Sequence, residues 1–163
     1  MNKNIVNPNS GIYLAYGYLM LPVSLNIISK IKIGTENYFP KIGYHVSLIC
    51  LEDLPESDQK KILNFAKKYP VNIKEITPIY RLVTEDIHRS IIVRVRLHGL
   101  KKLLSAVNHH FGYFFVYPPT HITLFTLKDQ YGIGVNSGSE YRQLTSQINQ
   151  KDSLKLAKSF KLI

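Results

Sequence analysis

The sequence carries a single cysteine, Cys50, in 163 residues. No internal disulfide can brace the chain, and because Cys50 lies in an apolar, strand-like run it is expected to be buried rather than reactive. A reducing, cytoplasmic setting is the matching expectation. Long apolar runs are also missing. The longest, Ile12 to Leu25, is too short to span a bilayer and is interrupted by Gly17, Pro22 and several tyrosines. No basic segment with a small-residue cleavage site precedes it, so neither export nor a membrane partner is expected. The histidines lack the short spacings of zinc motifs, one cysteine is too few for a ribbon or finger, and no carboxylate cluster suggests magnesium. With no Gly-rich phosphate loop of the Walker type, ATP-driven chemistry is not indicated and no cofactor is expected.

Acidic residues are scarce: 11 Asp and Glu stand against 21 Lys and Arg, a formal charge of +10. Such a surplus draws polyanions through long-range fields and counterion release, so RNA, DNA, nucleotides and anionic lipid are all compatible partners. A generally basic soluble protein would carry the same charge. The hydrophobic fraction of 45% and charged fraction of 20% are those of a folding globular chain. Its length fits one domain over 1–163, or two small lobes sharing a core.

Residues 1 to 11 read as a loosely held start. The nearly all-apolar stretch Ile12 to Met20 predicts a strand covered on both faces, and Leu25 to Ile33 is compatible with either a short helix or a strand. Gly43 to Cys50 predicts a strand. Asp53 and Glu56 have the spacing of a capping box before a helix running to about Tyr69, whose face Ile62, Phe65, Ala66 and Tyr69 would pack on a sheet. Pro70 ends it. Val71 to Val83 and Ser90 to Leu97 predict a hairpin through the polar turn 84–89. In its second strand Ile91, Val93, Val95 and Leu97 point one way, and Ile92, Arg94, Arg96 and His98 the other. Leu100, Leu103, Leu104, Val107 and Phe111 mark a second amphipathic helix. Phe114 to Tyr117 and Thr120 to Leu127 are strand-like, separated by Pro118-Pro119. The order is that of an α+β fold in two roughly similar halves. From Ser139 onward, Lys151, Lys155, Lys158 and Lys161 beside Leu154, Ala157 and Phe160 predict a terminal amphipathic helix, preferred over a nucleic-acid arm.

Two strand-like segments share one pattern, Tyr44-His45-Val46-Ser47-Leu48-Ile49 and Thr120-His121-Ile122-Thr123-Leu124-Phe125. Strand side chains alternate, so His45 shares a face with Ser47 and His121 with Thr123, while the apolar residues take the opposite face. Two imidazoles suit phosphodiester cleavage: one takes a proton from the attacking water or hydroxyl, the other protonates the departing oxygen, and both states of histidine are accessible near neutrality. The hydroxyls of Ser47 and Thr123 can donate to non-bridging oxygens as negative charge builds. A third copy, His88-Arg89-Ser90, begins in the expected polar turn and is read as chance. Either histidine alone would more simply be a hydrogen-bonded structural residue; the pairing carries the reading.

These residues resemble the 2H phosphoesterase superfamily, named for two such His-x-Ser/Thr motifs. "YHVSLIC" and "THITLFT" carry the resemblance, which covers roughly Ile12 to Leu127, and Ser47 stands where threonine is also common. The resemblance implies two pseudo-symmetric lobes whose central antiparallel sheets line a cleft, with helices packed outside. It also implies His45 and His121 as catalytic acid and base, in either order, with Ser47 and Thr123 binding phosphate. Metal-independent hydrolysis of a 2′,3′-cyclic phosphate or 2′-5′ linkage, on RNA or an oligonucleotide, is the implied activity. A non-catalytic RNA- or nucleotide-binding module and a hydrolase of a cyclic oligonucleotide signal stand as alternatives, and no obligate protein partner is indicated.

Arg94, Arg96 and His98 would grip flanking phosphates if their strand borders a catalytic one; a solvated face explains them equally. Tyr117, with Tyr13, Tyr16, Tyr18 and Tyr131, offers stacking surfaces for a base, although ordinary packing is the simpler reading. His109-His110 suits a helix C-terminus and gets no site role. The loop 131–139 has no role assigned from sequence.

Overall fold

The computed structural model describes residues 11–27, 29–128 and 132–163. In chain order the elements are β1 (Tyr13–Ala15), β2 (Tyr18–Val23), β3 (Leu25–Ile27), β4 (Ile31–Ile33), β5 (Glu36–Pro40), β6 (Tyr44–Cys50), α1 (Glu56–Ala66), β7 (Asn72–Glu85), β8 (His88–His98), α2 (Leu100–Phe111), β9 (His121–Thr126), α3 (Gly138–Leu144), β10 (Thr145–Gln147), α4 (Gln150–Ser159) and β11 (Phe160–Leu162). The fold is α+β, and every strand pairing among the described residues is antiparallel. The main sheet runs β1-β2-β6-β9-β8-β7-β10, with β5 joining β9 and β4 joining β5, while β11 pairs with β3 apart from it.

The sheet has two differently covered faces. Val46, Leu48, Ile122, Leu124, Ile91, Val93 and Val95 point to the main core, where α1 supplies Ile62 and Ala66, and α2 supplies Leu100, Leu103, Leu104 and Val107. Leu156 of α4 joins them. Ile92 and Val83 point the other way, into a smaller cluster closed by Ile133, Val135, Tyr141 and Leu144. The face of β8 that carries Ile92, Arg94, Arg96 and His98 was expected to be the charged one, yet its Ile92 is fully buried because 133–144 folds back over it.

Local differences have local causes. Ile12 to Met20 is two strands, not one: Tyr16 and Gly17 both adopt positive φ (51° and 75°), the requirement of a two-residue hairpin turn. Leu25 to Ile33 resolves into β3 and β4. Asp53 does not cap α1. The helix starts at Glu56 behind Pro55, without a side-chain cap, and Gln59 instead donates to the Leu51 and Leu54 carbonyls. The hairpin β7–β8 extends further than expected, to a turn at Asp86 and Ile87, so His88-Arg89-Ser90 lies inside a strand after all. Phe114 to Tyr117 is irregular and joins no ladder among the described residues; Asn108 of α2 holds it by bonding both the N–H and the carbonyl of Phe115. The tail forms two helices and two short strands, not a single helix, with β10 zipped to β7 and β11 to β3. The N-terminal stretch 1–10 and Tyr131 lie outside the described residues.

Candidate functional site

The two His-x-Ser/Thr segments form neighbouring strands at the middle of the sheet. β6 and β9 meet at a single ladder pair, Val46 opposite Ile122. Both residues are fully buried under the helices, so alternation turns their neighbours to the opposite face. Continuing the antiparallel register one residue each way sets His45 across from Thr123 and Ser47 across from His121. All four are half-buried, as expected for one open surface. The two histidines are diagonal neighbours, a spacing of about 7–8 Å between Cα atoms in a regular ladder.

A bulge shapes this surface. β5 pairs with β9 up to Pro40 opposite Phe125, and the Lys41 N–H still bonds the Leu124 carbonyl at 3.1 Å. From Pro40 to Val46 the chain takes six steps while β9 takes three, so three residues are extruded beside His45. Gly43, at φ 78°, turns the chain there. The extrusion brings Lys41 close enough for its charge to bear on His45.

Both imidazoles are held below the ordinary histidine range. For His45 the main cause is desolvation, followed by Lys41. For His121 desolvation again leads; a hydrogen bond to backbone opposes it, and the charges of Arg94 and His45 add to the lowering. That backbone bond runs from Nδ1 of His121 to the Pro119 carbonyl, 2.7 Å away. A carbonyl only accepts, so Nδ1 carries the proton, and in the neutral ring Nε2 is left as a lone-pair acceptor.

On the other flank of β9, Arg94 of β8 stands directly opposite His121. Its Nε donates to the Thr120 carbonyl at 3.2 Å, and its guanidinium lies 4.7 Å from the centre of the Tyr141 ring. Arg81 sits 5.1 Å from the same ring and is pinned by Thr145, through Oγ1 at 2.9 Å and the carbonyl at 3.2 Å. Tyr117 is about half exposed and lies within reach of Arg94's charge, while burial pushes its phenol up. Arg96 and His98 are elsewhere. Arg96 is exposed and ion-paired with Glu75 at 3.0 Å, and His98 ends β8, four residues or roughly 13 Å along the strand from Arg94.

The segment after β9 borders this surface. Gly132 passes so near Thr123 that a Cβ there would come within 3.5 Å of its Oγ1, and Asn136 donates to the Tyr18 hydroxyl on β2 at 2.9 Å. Desolvation, its largest cause, raises the Tyr18 phenol to about 12. Tyr13 sits partly exposed on edge strand β1, and Tyr16 is exposed at the hairpin tip. His110 stacks on Phe65 at 4.5 Å, in the packing between α1 and α2. Among the described residues no three His, Cys, Asp or Glu side chains converge as a metal site, and no helix is long and apolar enough to cross a membrane.

Sequence reasoning missed Lys41, Arg81 and Tyr141. Lys41 enters through the bulge, which no motif announces beyond Gly43; Arg81 and Tyr141 are joined by a contact between β7 and α3, a tertiary event. In comparisons with known proteins the chain matches no family model, no curated protein and no solved structure.

Proposed function

We propose that this protein hydrolyses a ribonucleotide phosphodiester, a 2′,3′-cyclic phosphate or a 2′-5′ linkage, by two-histidine acid–base catalysis in the manner of the 2H phosphoesterases. The observation that carries the reading is the placement of His45, Ser47, His121 and Thr123 on one face of two adjoining central strands, with the histidines diagonal to each other. In this reading the sheet halves on either side of β6 and β9 act as the two lobes, and their open face is the cleft.

The tautomer of His121 supports a division of labour. With Nδ1–H committed to Pro119, Nε2 is the nitrogen that exchanges protons, and we assign His121 as the base that takes the proton of the attacking water. His45 is the acid. Water oxygen bonds to phosphorus, its proton passes to His121, the bond from phosphorus to the leaving ribose oxygen breaks, and that oxygen takes the proton of His45. Ser47 and Thr123 donate to the non-bridging oxygens, where charge accumulates. Lys41 and Arg94 make the surroundings electropositive, which favours a bound phosphate.

The test is a panel of mononucleoside 2′,3′-cyclic phosphates, 2′-5′ dinucleotides and cyclic oligonucleotides, assayed with and without EDTA. Turnover of at least one class, insensitive to chelator, is expected. His45→Ala and His121→Ala should each lower kcat by about 10²–10⁴-fold. Binding without turnover across the panel, unchanged in either variant, would replace the enzyme with a binding module, and activity abolished by EDTA would sink the metal-free mechanism.

A further inference from the structure

Arg81 and Arg94 differ from their neighbours on the sheet. Arg89 is paired with Glu36 at 2.6 Å and Arg96 with Glu75, whereas neither Arg81 nor Arg94 has a carboxylate partner among the described residues. Both are half-buried, and both lie against one ring, that of Tyr141. Two half-buried cations packed against the same ring repel each other and are partly stripped of water. An anion between or beside them offsets both costs.

The attachments define which part of Arg94 is available. Its Nε is committed to Thr120, and among the described residues its two terminal nitrogens, the fork that binds a phosphate through two parallel hydrogen bonds, have no hydrogen-bond partner and are left for a ligand. Arg81 has Nε and one terminal nitrogen committed to Thr145, whose hydroxyl in turn donates to the Tyr141 carbonyl at 2.7 Å. Arg81 therefore braces the ring, and the ring braces Arg94. Position settles which phosphate is met. Across the strands the sequence is Ser47, His121, Arg94, so Arg94 lies on the side of His121 away from β6. A phosphate flanked by both histidines lies toward β6, leaving Arg94 for the next one.

We infer that Arg94, held in place by Tyr141, binds a second phosphate of the substrate, adjacent to the one that reacts, and that Tyr141 is its positioning residue. The substrate it fits is a nucleotide chain with a phosphate on the His121 side of the cleaved bond, not a lone mononucleoside cyclic phosphate. This rests on the proposed chemistry for the identity of the reacting phosphate. The helix after β9 thereby gains a role, since α3 supplies Tyr141.

The probes are adenosine 3′,5′-bisphosphate and adenosine 3′-monophosphate, titrated calorimetrically at 150 mM salt into the full chain. The bisphosphate is expected to bind about tenfold more tightly. Arg94→Gln should bring that ratio to about one, Arg94→Lys should restore part of it, and a distant control, Lys67→Gln, should leave it intact. Tyr141→Phe, which keeps the ring face, should preserve the ratio, while Tyr141→Leu should lower it with the affinity for the 3′-monophosphate unchanged. Equal affinities in the unmodified protein, or a preference surviving Arg94→Gln, overturn the subsite. The two readings fail separately: a preference without hydrolysis of any substrate supports the subsite and sinks the enzyme, and hydrolysis of mononucleoside cyclic phosphates without a preference does the reverse.

Discussion

His121 carries the most information for a single residue. Its bond to Pro119 fixes a tautomer, and its neighbours Arg94 and His45 both disfavour the imidazolium. Under the proposed mechanism the rate follows the fraction with His121 neutral and His45 protonated. Both groups titrate below the ordinary value of 6.5, so kcat/KM should peak on the acid side of 6.5 and fall about tenfold per pH unit above it. A pH–rate profile flat or rising from 6.5 to 8 contradicts that assignment. At this scale the sequence was informative where chemistry is local: alternation alone places His45 with Ser47 and His121 with Thr123. It was silent on Lys41, Arg81 and Tyr141, whose positions depend on a bulge and on a helix docking onto a strand. Arg94, Arg96 and His98 looked equivalent in sequence, and only the pairing of Arg96 with Glu75 and the position of Arg94 beside His121 separate them.

Elements with strong periodicity were readable. The face of α2 appears as written, with Leu100, Leu103, Leu104 and Val107 all buried, because spacings of three and four leave one solution for a helix on a sheet. Short or irregular pieces were not. Tyr16-Gly17 lacks the Asn-Gly signature of a two-residue turn, so an apolar run hid a hairpin, and Phe114 to Tyr117 has strand composition but no ladder partner among the described residues, with Phe114 94% exposed. The start of α2 gives a sharp test of backbone fit. Gly99, its N-cap, sits at φ 90°, and a Cβ there would run into the Pro70 carbonyl. Gly99→Ala is therefore expected to destabilise by about 1–3 kcal/mol, read from urea unfolding with an unchanged slope. A neutral result would mean that the β7–α2 junction yields easily.

For the whole molecule, the two central histidines couple folding to acidity. Their folded pKa values are depressed, so below 6.5 the unfolded chain binds more protons than the native one and stability falls as pH drops from 6.5 toward the folded values. The stability is fully present above 6.5. Asp152, held low by its hydrogen bond from Lys155, acts in a separate window below the carboxylate range. Thermal unfolding between pH 7 and 5 should show Tm falling with acid, and the double variant His45→Gln/His121→Gln should flatten that slope. An identical slope in the variant would assign the loss to other groups.

Among the described residues β6 and β9 share one ladder pair, Val46 with Ile122, the fewest of any neighbours along the main path of the sheet, and the histidines straddle that crease. Whatever spans the two imidazoles also spans the crease, so an occupant there acts as a stitch across the backbone and couples filling of the site to the stiffness of the sheet.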